Sequence, residues 1–73
     1  MTTTSGGIRI EVNGATRAVE PEATVLDLVR ELGLELELVA VEINRELVRR
    51  SDLAGRHLAP GDRVEIVEFV GGG

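Results

Sequence analysis

Cysteine, lysine, tryptophan and tyrosine are absent from this 73-residue sequence, and Phe69 is its single aromatic residue. Without cysteine, the chain has no disulfide, no thiolate nucleophile and no thiolate ligand for a metal. Nucleic-acid binding normally uses a basic surface or aromatic stacking platforms. The formal net charge is −5, so we expect no nucleic-acid partner. The absence of lysine also means that copies of the chain cannot be joined to one another through isopeptide bonds.

Long apolar runs are also missing. The longest, residues 38–41, has four residues, whereas a membrane-spanning helix needs about twenty. Residues 1–7 lack the basic and apolar segments of an export signal and are interpreted as a flexible N-terminal lead. We therefore expect no membrane association and a cytoplasmic location, which the absence of cysteine also fits.

The small size of the chain limits its chemistry. Between the lead and the last three residues, residues 8–70 form one predicted domain. A unit of this size buries only about 60% of its unfolded surface, so its apolar side chains are consumed by a single core. We therefore predict no catalytic residue, no bound cofactor and no metal site within the chain itself.

Alternating apolar residues predict strands, and turn-forming dipeptides stand between several of them. Asn13-Gly14 favours a two-residue hairpin turn, Asn44-Arg45 marks a second turn, and Pro60-Gly61 suits the centre of a type II turn. The predicted strands are Ile8–Val12, Ala15–Val19, Val39–Ile43, Glu46–Val48 and Arg63–Val70.

The clearest helix signal begins at Thr24, a good N-cap residue that Asp27 follows three positions later. Gly33 is predicted to end this helix. The apolar stripe comprises Val25, Leu26, Leu28, Val29 and Leu32.

Two connecting segments are predicted to have little regular structure. Residues 34–38 are interpreted as a connector, because the apolar alternation changes phase after them. Ser51-Asp52 is predicted to cap a single helical turn that inserts Leu53 into the core, and Leu58 is predicted to close the core behind it.

These elements predict an α+β fold, with a mixed sheet of four to five strands packed on one main helix. If the first and last strands lie side by side at the centre of the sheet, the arrangement is the ubiquitin-like β-grasp fold. Periodicity alone leaves the strand order open.

The last strand leads directly into Gly71, Gly72 and Gly73. Because glycine has no Cβ, such a segment can pass extended through a channel too narrow for side chains. A terminal carboxylate becomes an acyl donor once it has attacked a nucleotide phosphate, which creates AMP as a leaving group. The alternative interpretation is a frayed chain end without function.

Four segments of the sequence carry a resemblance to a known family, and it covers nearly the whole chain from Ile8 onward. The segments are Val12-Asn13-Gly14, Thr24-Val25-Leu26-Asp27-Leu28, Val39-Ala40-Val41-Glu42-Ile43-Asn44 and the block from Pro60 to Gly73. In this order and spacing they resemble the ThiS family of thiamine-biosynthesis sulfur carriers. The last segment is the most specific.

The resemblance implies a carrier protein rather than an enzyme. It implies that a ubiquitin-activating-type (ThiF-like) adenylyltransferase uses ATP to adenylate Gly73, which then becomes a thiocarboxylate. The sulfur would come from a donor such as a cysteine desulfurase and would pass to a ThiG-like thiazole synthase. By position, Gly71 and Gly72 would form the threading arm.

Residues close to the reacting end are candidates for docking to these partners. Val67 interrupts the inward alternation of the last strand, so Val67, Phe69 and Val70 are predicted to form an apolar docking strip. The alternative is that Phe69 closes one end of the core.

Other functions remain open from the sequence. The same chemistry could serve a cysteine or secondary-metabolite pathway or molybdopterin synthase. Molybdopterin small subunits usually carry a proline-containing stretch before Gly-Gly, and no proline lies between Arg63 and Gly73 here. A ubiquitin-like modifier, joined to target amines or never activated, is a further alternative.

Overall fold

The computed structural model describes residues 7–69. The predicted lead falls outside this range except for Gly7, and Val70 and the predicted tail at residues 71–73 lie outside it as well. No helix within residues 7–69 is long and apolar enough to cross a membrane. The described elements are β1 (Ile8–Val12), β2 (Ala15–Val19), α1 (Val25–Glu31), β3 (Val39–Ile43), β4 (Glu46–Val48) and β5 (Arg63–Glu68).

The five strands form one mixed sheet in the order β2-β1-β5-β3-β4. β1 and β5 are parallel, and the other neighbouring pairs are antiparallel. The first and last strands therefore lie side by side at the centre, which is the arrangement that the β-grasp fold requires. The β5 strand is the middle strand of the sheet, and it is the strand that leads toward the last glycines.

The predicted turns are confirmed by their backbone angles. Asn13 and Gly14 have φ values of 50° and 88°, and Asn44 and Arg45 have 52° and 73°. Positive φ at both central residues is the mark of the type I′ hairpin, whose twist matches that of the strands. Gly61 has a φ of 85° in the turn that Pro60 begins, as a type II turn requires.

A capping box starts α1. The hydroxyl of Thr24 accepts the backbone N–H of Asp27 at 3.1 Å, and the backbone N–H of Thr24 donates to Asp27 Oδ2 at 3.0 Å. The helix ends at Glu31, Leu32 is its C-cap, and Gly33 follows with a φ of 76°. The capping box at Thr24 and Asp27 and the glycine at position 33 therefore mark the start and the end of the helix, as predicted.

The core lies between α1 and one face of the sheet. The loop before β5 closes it, because Leu53 and Leu58 are buried and the Leu53 carbonyl accepts the backbone N–H of Leu26 at 3.1 Å. The predicted insertion of both leucines is confirmed. The buried apolar residues are Ile10, Val19, Val25, Leu28, Val29, Val39, Val41, Ile43, Leu53, Leu58, Val64 and Ile66.

The prediction that Ser51-Asp52 caps a helical turn is wrong. A 3₁₀ turn spans Arg50–Asp52, so both residues lie inside it, and no side chain caps its start at Arg49. Arg50 instead fixes the segment, since its guanidinium donates to the carbonyls of Leu36 and Glu37 at 3.0 and 3.3 Å. Those two carbonyls belong to a second 3₁₀ turn, Leu36–Leu38, within the predicted connector.

The last strand is shorter than its predicted range, Arg63–Val70, because β5 ends at Glu68. Its partner β3 begins at Val39, because the residues before it form the 3₁₀ turn Leu36–Leu38. Beyond Glu68, β5 therefore has no extended segment of β3 beside it. The N–H of Phe69 still donates to the carbonyl of Leu38 at 2.6 Å. Within residues 7–69, this bond of Phe69 is the last one toward β3, and Val70 lies outside the described residues.

Candidate functional site

The predicted docking residues that the structure describes lie on the face of the sheet that α1 leaves uncovered. In β5, Val64 and Ile66 are buried toward the helix, whereas Val67 is 56% exposed. Successive strand residues point to opposite faces, so Val67 and Phe69 share the open face. Phe69 is 54% exposed and does not belong to the core cluster. It therefore does not close the end of the core.

A larger apolar area surrounds these two residues. Ala40 lies directly opposite Val67 in the β3–β5 register. Leu47 is 68% exposed, and it lines, together with Ala40 and Phe69, one shallow groove of about 220 Å³. We call Ala40, Leu47, Val67 and Phe69 the apolar patch. Exposed apolar residues grouped in this way commonly mark an interaction surface.

Sequence reasoning missed Leu47, although its signal was present. In the three-residue strand β4, the middle residue must face away from its two neighbours. Val48 pairs opposite the buried Val41, while Leu47 pairs opposite Glu42 on the open face. An apolar residue in this phase, between an acidic residue and one that faces the core, could have been assigned to the surface from the pattern alone.

Carboxylates border the apolar patch. Glu42 and Glu65 face each other directly across β3 and β5. Like charges at opposed positions of a sheet repel each other. The nearby Arg63 is engaged elsewhere, with its Nε 3.6 Å from Glu11 Oε1. Arg49 and Arg50 line the groove beside Leu47, so the apolar area is bordered by charges of both signs. Such a border suits a partner surface that is apolar and carries complementary charges.

Two asparagine side chains hold β5 in place. Asn13 Oδ1 accepts the N–H of Ile66 at 2.8 Å, and Asn13 Nδ2 donates to the Ile66 carbonyl at 3.2 Å. Asn44 Oδ1 accepts the N–H of Arg63 at 3.0 Å, and Asn44 Nδ2 donates to Asp62 Oδ1 at 3.1 Å. The sequence identified both asparagines as turn residues, and their second role as clamps needs the strand order to be known.

Asp62 completes this support. It is 7% exposed, and its Oδ2 accepts the N–H of Ala59 at 2.8 Å across the Pro60-Gly61 turn. Its other oxygen is the one that Asn44 contacts. A buried carboxylate needs such donors to compensate for lost hydration, and here they fix the loop that feeds into the central strand.

A second concavity is an open cleft of about 840 Å³ between the end of β2 and α1. Its walls include Pro21, Arg30 and several carboxylates, among them Glu20 and Asp27. Within residues 7–69, no three histidine or carboxylate side chains are grouped so as to hold a metal ion. His57 is exposed and sits in an isolated bridge with Thr24.

The profile of the ThiS family matches residues 6–73 of this chain. The chain belongs to the ThiS family. The resemblance carried by the four sequence segments is thus confirmed, and so is the β-grasp fold. The crystal structure of the thiamine biosynthesis protein ThiS from Geobacter metallireducens has a TM-score of 0.76 and 32% sequence identity to it. That likeness covers 90% of this chain and 100% of the other.

Two relatives place this ThiS-family chain in different contexts. The sulfur carrier protein ThiS of Thermus thermophilus is 37% identical over 62 residues, which cover 85% of this chain and 95% of the relative. A thiazole synthase of Paramagnetospirillum magneticum is 41% identical over 66 residues, which cover 90% of this chain and 20% of that enzyme. The chain therefore spans about one fifth of the length of the thiazole synthases it matches.

Proposed function

We propose that this chain is a sulfur carrier for the thiazole moiety of thiamine, and that the sulfur is carried on Gly73. One structural observation carries the proposal. The central strand of the sheet, held on both sides, exposes Val67 and Phe69, which come only a few residues before Gly71–Gly73 in the sequence. The likeness to the Thermus thermophilus sulfur carrier over 95% of its length supports it.

The proposed chemistry takes place in two steps at the terminal carboxylate of Gly73. A carboxylate oxygen attacks the α-phosphorus of ATP, and pyrophosphate leaves, which gives an acyl-adenylate. Hydrosulfide attacks the acyl carbon, and AMP leaves. Where the sulfur comes as a persulfide from a donor such as a cysteine desulfurase, the attack gives an acyl disulfide, and a thiol then reduces it to the thiocarboxylate and is itself oxidised to a disulfide. The product is a thiocarboxylate in which one oxygen of the terminus has been replaced by sulfur.

In this proposal the chain is a cosubstrate, and its partners supply the catalytic groups. A ThiF-like adenylyltransferase performs the first step, in the cytoplasm where ATP is available. A ThiG-like thiazole synthase receives the sulfur. The match within thiazole synthases favours this second partner, because a segment similar to this chain is part of those enzymes.

The apolar patch is the proposed docking surface for these partners. Val67 and Phe69 keep their predicted role, and Leu47 joins them. Val70 remains a predicted member of the docking strip. Gly71 and Gly72 are proposed as the arm that threads into the partner, since their lack of side chains permits a narrow channel.

The proposal is tested by intact mass spectrometry. The protein is incubated with ATP, a ThiF-like adenylyltransferase and a sulfide source, and we expect a mass gain equal to the exchange of one oxygen for one sulfur. The control variant lacks Gly72 and Gly73 and should keep its fold without gaining mass. An unchanged mass of the full protein, with an enzyme shown to be active on another carrier, would refute the proposal.

The destination of the sulfur needs a second experiment. The purified thiocarboxylate is mixed with a thiazole synthase and its small-molecule substrates. We expect thiazole to form and the carrier to return to its original mass. A thiocarboxylate that survives this treatment, yet supplies sulfur to a different acceptor enzyme, would contradict the assignment to thiamine.

A further inference from the structure

The backbone groups of β5 point alternately toward its two neighbouring strands. The N–H of Phe69 donates to the Leu38 carbonyl before β3, and the carbonyl of Arg63 accepts the N–H of Asn44 after β3. The backbone N–H and carbonyl groups of the odd-numbered residues of β5 therefore point toward β3. The carbonyl of Val64 accepts the N–H of Asn13, so even-numbered residues face β1.

On the β1 side, pairing stops well before β5 ends. The parallel register covers only Glu11 with Arg63 and Val12 with Val64. The chain of β1 then turns away at Asn13-Gly14. The Asn13 side chain takes the place of one further strand residue, because it bonds both the N–H and the carbonyl of Ile66.

Glu68 is the next residue whose backbone N–H and carbonyl point toward the β1 side. Within residues 7–69, its backbone N–H and carbonyl have no hydrogen-bond partner, and its only strand neighbour is Val39 on β3. Glu68 is exposed, and the next residue, Phe69, is still held on the β3 side. The sheet thus has a short open edge at Glu68, beside the apolar patch.

We propose that this edge receives an extended segment of the adenylating enzyme, which adds to the sheet by hydrogen-bonding the backbone of Glu68. The inference rests on the proposed function, because it concerns how the enzyme holds the segment that ends at Gly73. Gly73 is the fifth residue after Glu68, and five extended residues span about 17 Å. An enzyme that encloses the whole of this segment therefore also contacts the edge at Glu68. Adding a strand to an exposed sheet edge is a common way for proteins to bind an extended segment.

The charges at the edge favour a partner over a second copy of the chain. Two copies paired antiparallel about Glu68 would bring their glutamates opposite each other, which is unfavourable. A segment of the enzyme that carries arginine or lysine pairs with the same edge without that cost.

The test removes one backbone donor. Proline at position 68 lacks an N–H, and the lost N–H has no partner among the described residues, so the sheet should tolerate it as it does at other strand edges. Glu68→Ala is the matched variant that removes the side chain and keeps the N–H. Rates of adenylation by the ThiF-like enzyme are measured against carrier concentration, with folding checked by circular dichroism.

We expect the KM of Glu68→Pro to exceed that of Glu68→Ala by roughly five- to tenfold, the value of one backbone hydrogen bond. Equal KM values in the two folded variants would overturn the inference. So would a concentration-dependent dimer of the unmodified chain that Glu68→Pro abolishes, because the edge would then be occupied by a second copy.

A second variant covers the case in which Glu68→Pro does not fold. Chemical synthesis replaces the amide before Glu68 with an ester, which removes the N–H and retains the side chain. A raised KM for the ester supports the inference, and an unchanged KM overturns it. Failure of the proposed function is distinguishable, because the unmodified protein would then gain no sulfur mass at all.

Discussion

The two faces of the sheet are built from the same strands and have opposite surfaces. On the face beneath α1, apolar side chains from β1, β3 and β5 are buried and form the core. On the open face, Leu47, Val67 and Phe69 are exposed among carboxylates. The difference shows that the alternation of a strand lets a small domain bury its core on one face and leave the other face free. Under the proposed function, that free face binds the partners.

The largest expected effect compares two adjacent residues of β5. Ile66→Ala should lower the free energy of unfolding by about 2–5 kcal/mol, because it leaves a cavity in the core. Val67→Ala should change it by no more than about 0.5 kcal/mol, because the side chain is on the open face. Urea unfolding of both variants measures the contrast. Ile66→Val serves as a milder variant if Ile66→Ala does not fold, and similar losses at both positions would erase the distinction between the faces.

The open face should matter for partner binding instead. Phe69→Ala should weaken binding to the adenylating enzyme by about 2 kcal/mol, or roughly thirtyfold, as expected for a central apolar anchor. Titration calorimetry gives the affinity, and thermal unfolding should show little change. Glu46→Ala, next to Leu47 and opposite Ile43, is the control. If Phe69→Ala and Glu46→Ala bind equally well, the apolar patch is not the docking surface.

A third variant tests the clamp at the boundary between β1 and β5. Asn13→Gly keeps the positive φ that the turn requires but removes the amide that bonds Ile66. We expect a loss of roughly 1–2 kcal/mol in unfolding free energy, the value of such side-chain bonds. Hydrogen exchange of the Ile66 amide should accelerate more than that of Arg63, which Asn44 protects. Equal acceleration at both amides would show that Asn13 has no local role.

The smallest effect concerns the helix that covers the closed face. The pKa of Asp27 is lowered, first because the backbone N–H of Thr24 donates to its carboxylate, then through the Thr24 side chain, with a smaller attraction from Arg30. The stability from this carboxylate is complete above its ordinary pKa of about 4 and is lost as pH falls through the lowered folded value.

Asp27→Asn should therefore be less stable than the unmodified protein at neutral pH. The gap should narrow in acid, because the unmodified protein alone loses a charge at this position. Urea midpoints at neutral and acidic pH measure this change. A gap that stays constant across the acid range would mean that the capping carboxylate does not titrate with folding.

Much of this architecture could be predicted from the sequence because its signals are local. Asn13-Gly14, the pair Thr24 and Asp27, and Pro60-Gly61 each act within a few residues, and all of them took their predicted form. The pairing of β1 with β5 joins residues some fifty positions apart, so no periodicity reports it. It was inferred from packing rules and from the family resemblance.

Most of the differences from the predictions come from contacts between segments that are far apart in the sequence. The end of β5 at Glu68 depends on where its partner β3 begins, and the clamp by Asn13 depends on which strand lies beside it. Ser51-Asp52 has the composition of a cap, but Arg50 fixes that segment through the carbonyls of Leu36 and Glu37. Leu47 is different, because the alternation within β4 alone is enough to assign its side chain to the open face.

The position of β5 has a mechanical consequence. A pull along the axis of this strand acts across its hydrogen bonds, which run perpendicular to the strand toward β3 and at a slant toward β1, with Asn13 adding two more. Those bonds are loaded together in shear rather than opened one after another. Under the proposed function, an enzyme that draws the terminus into a narrow channel would therefore load the strand without peeling it from the sheet.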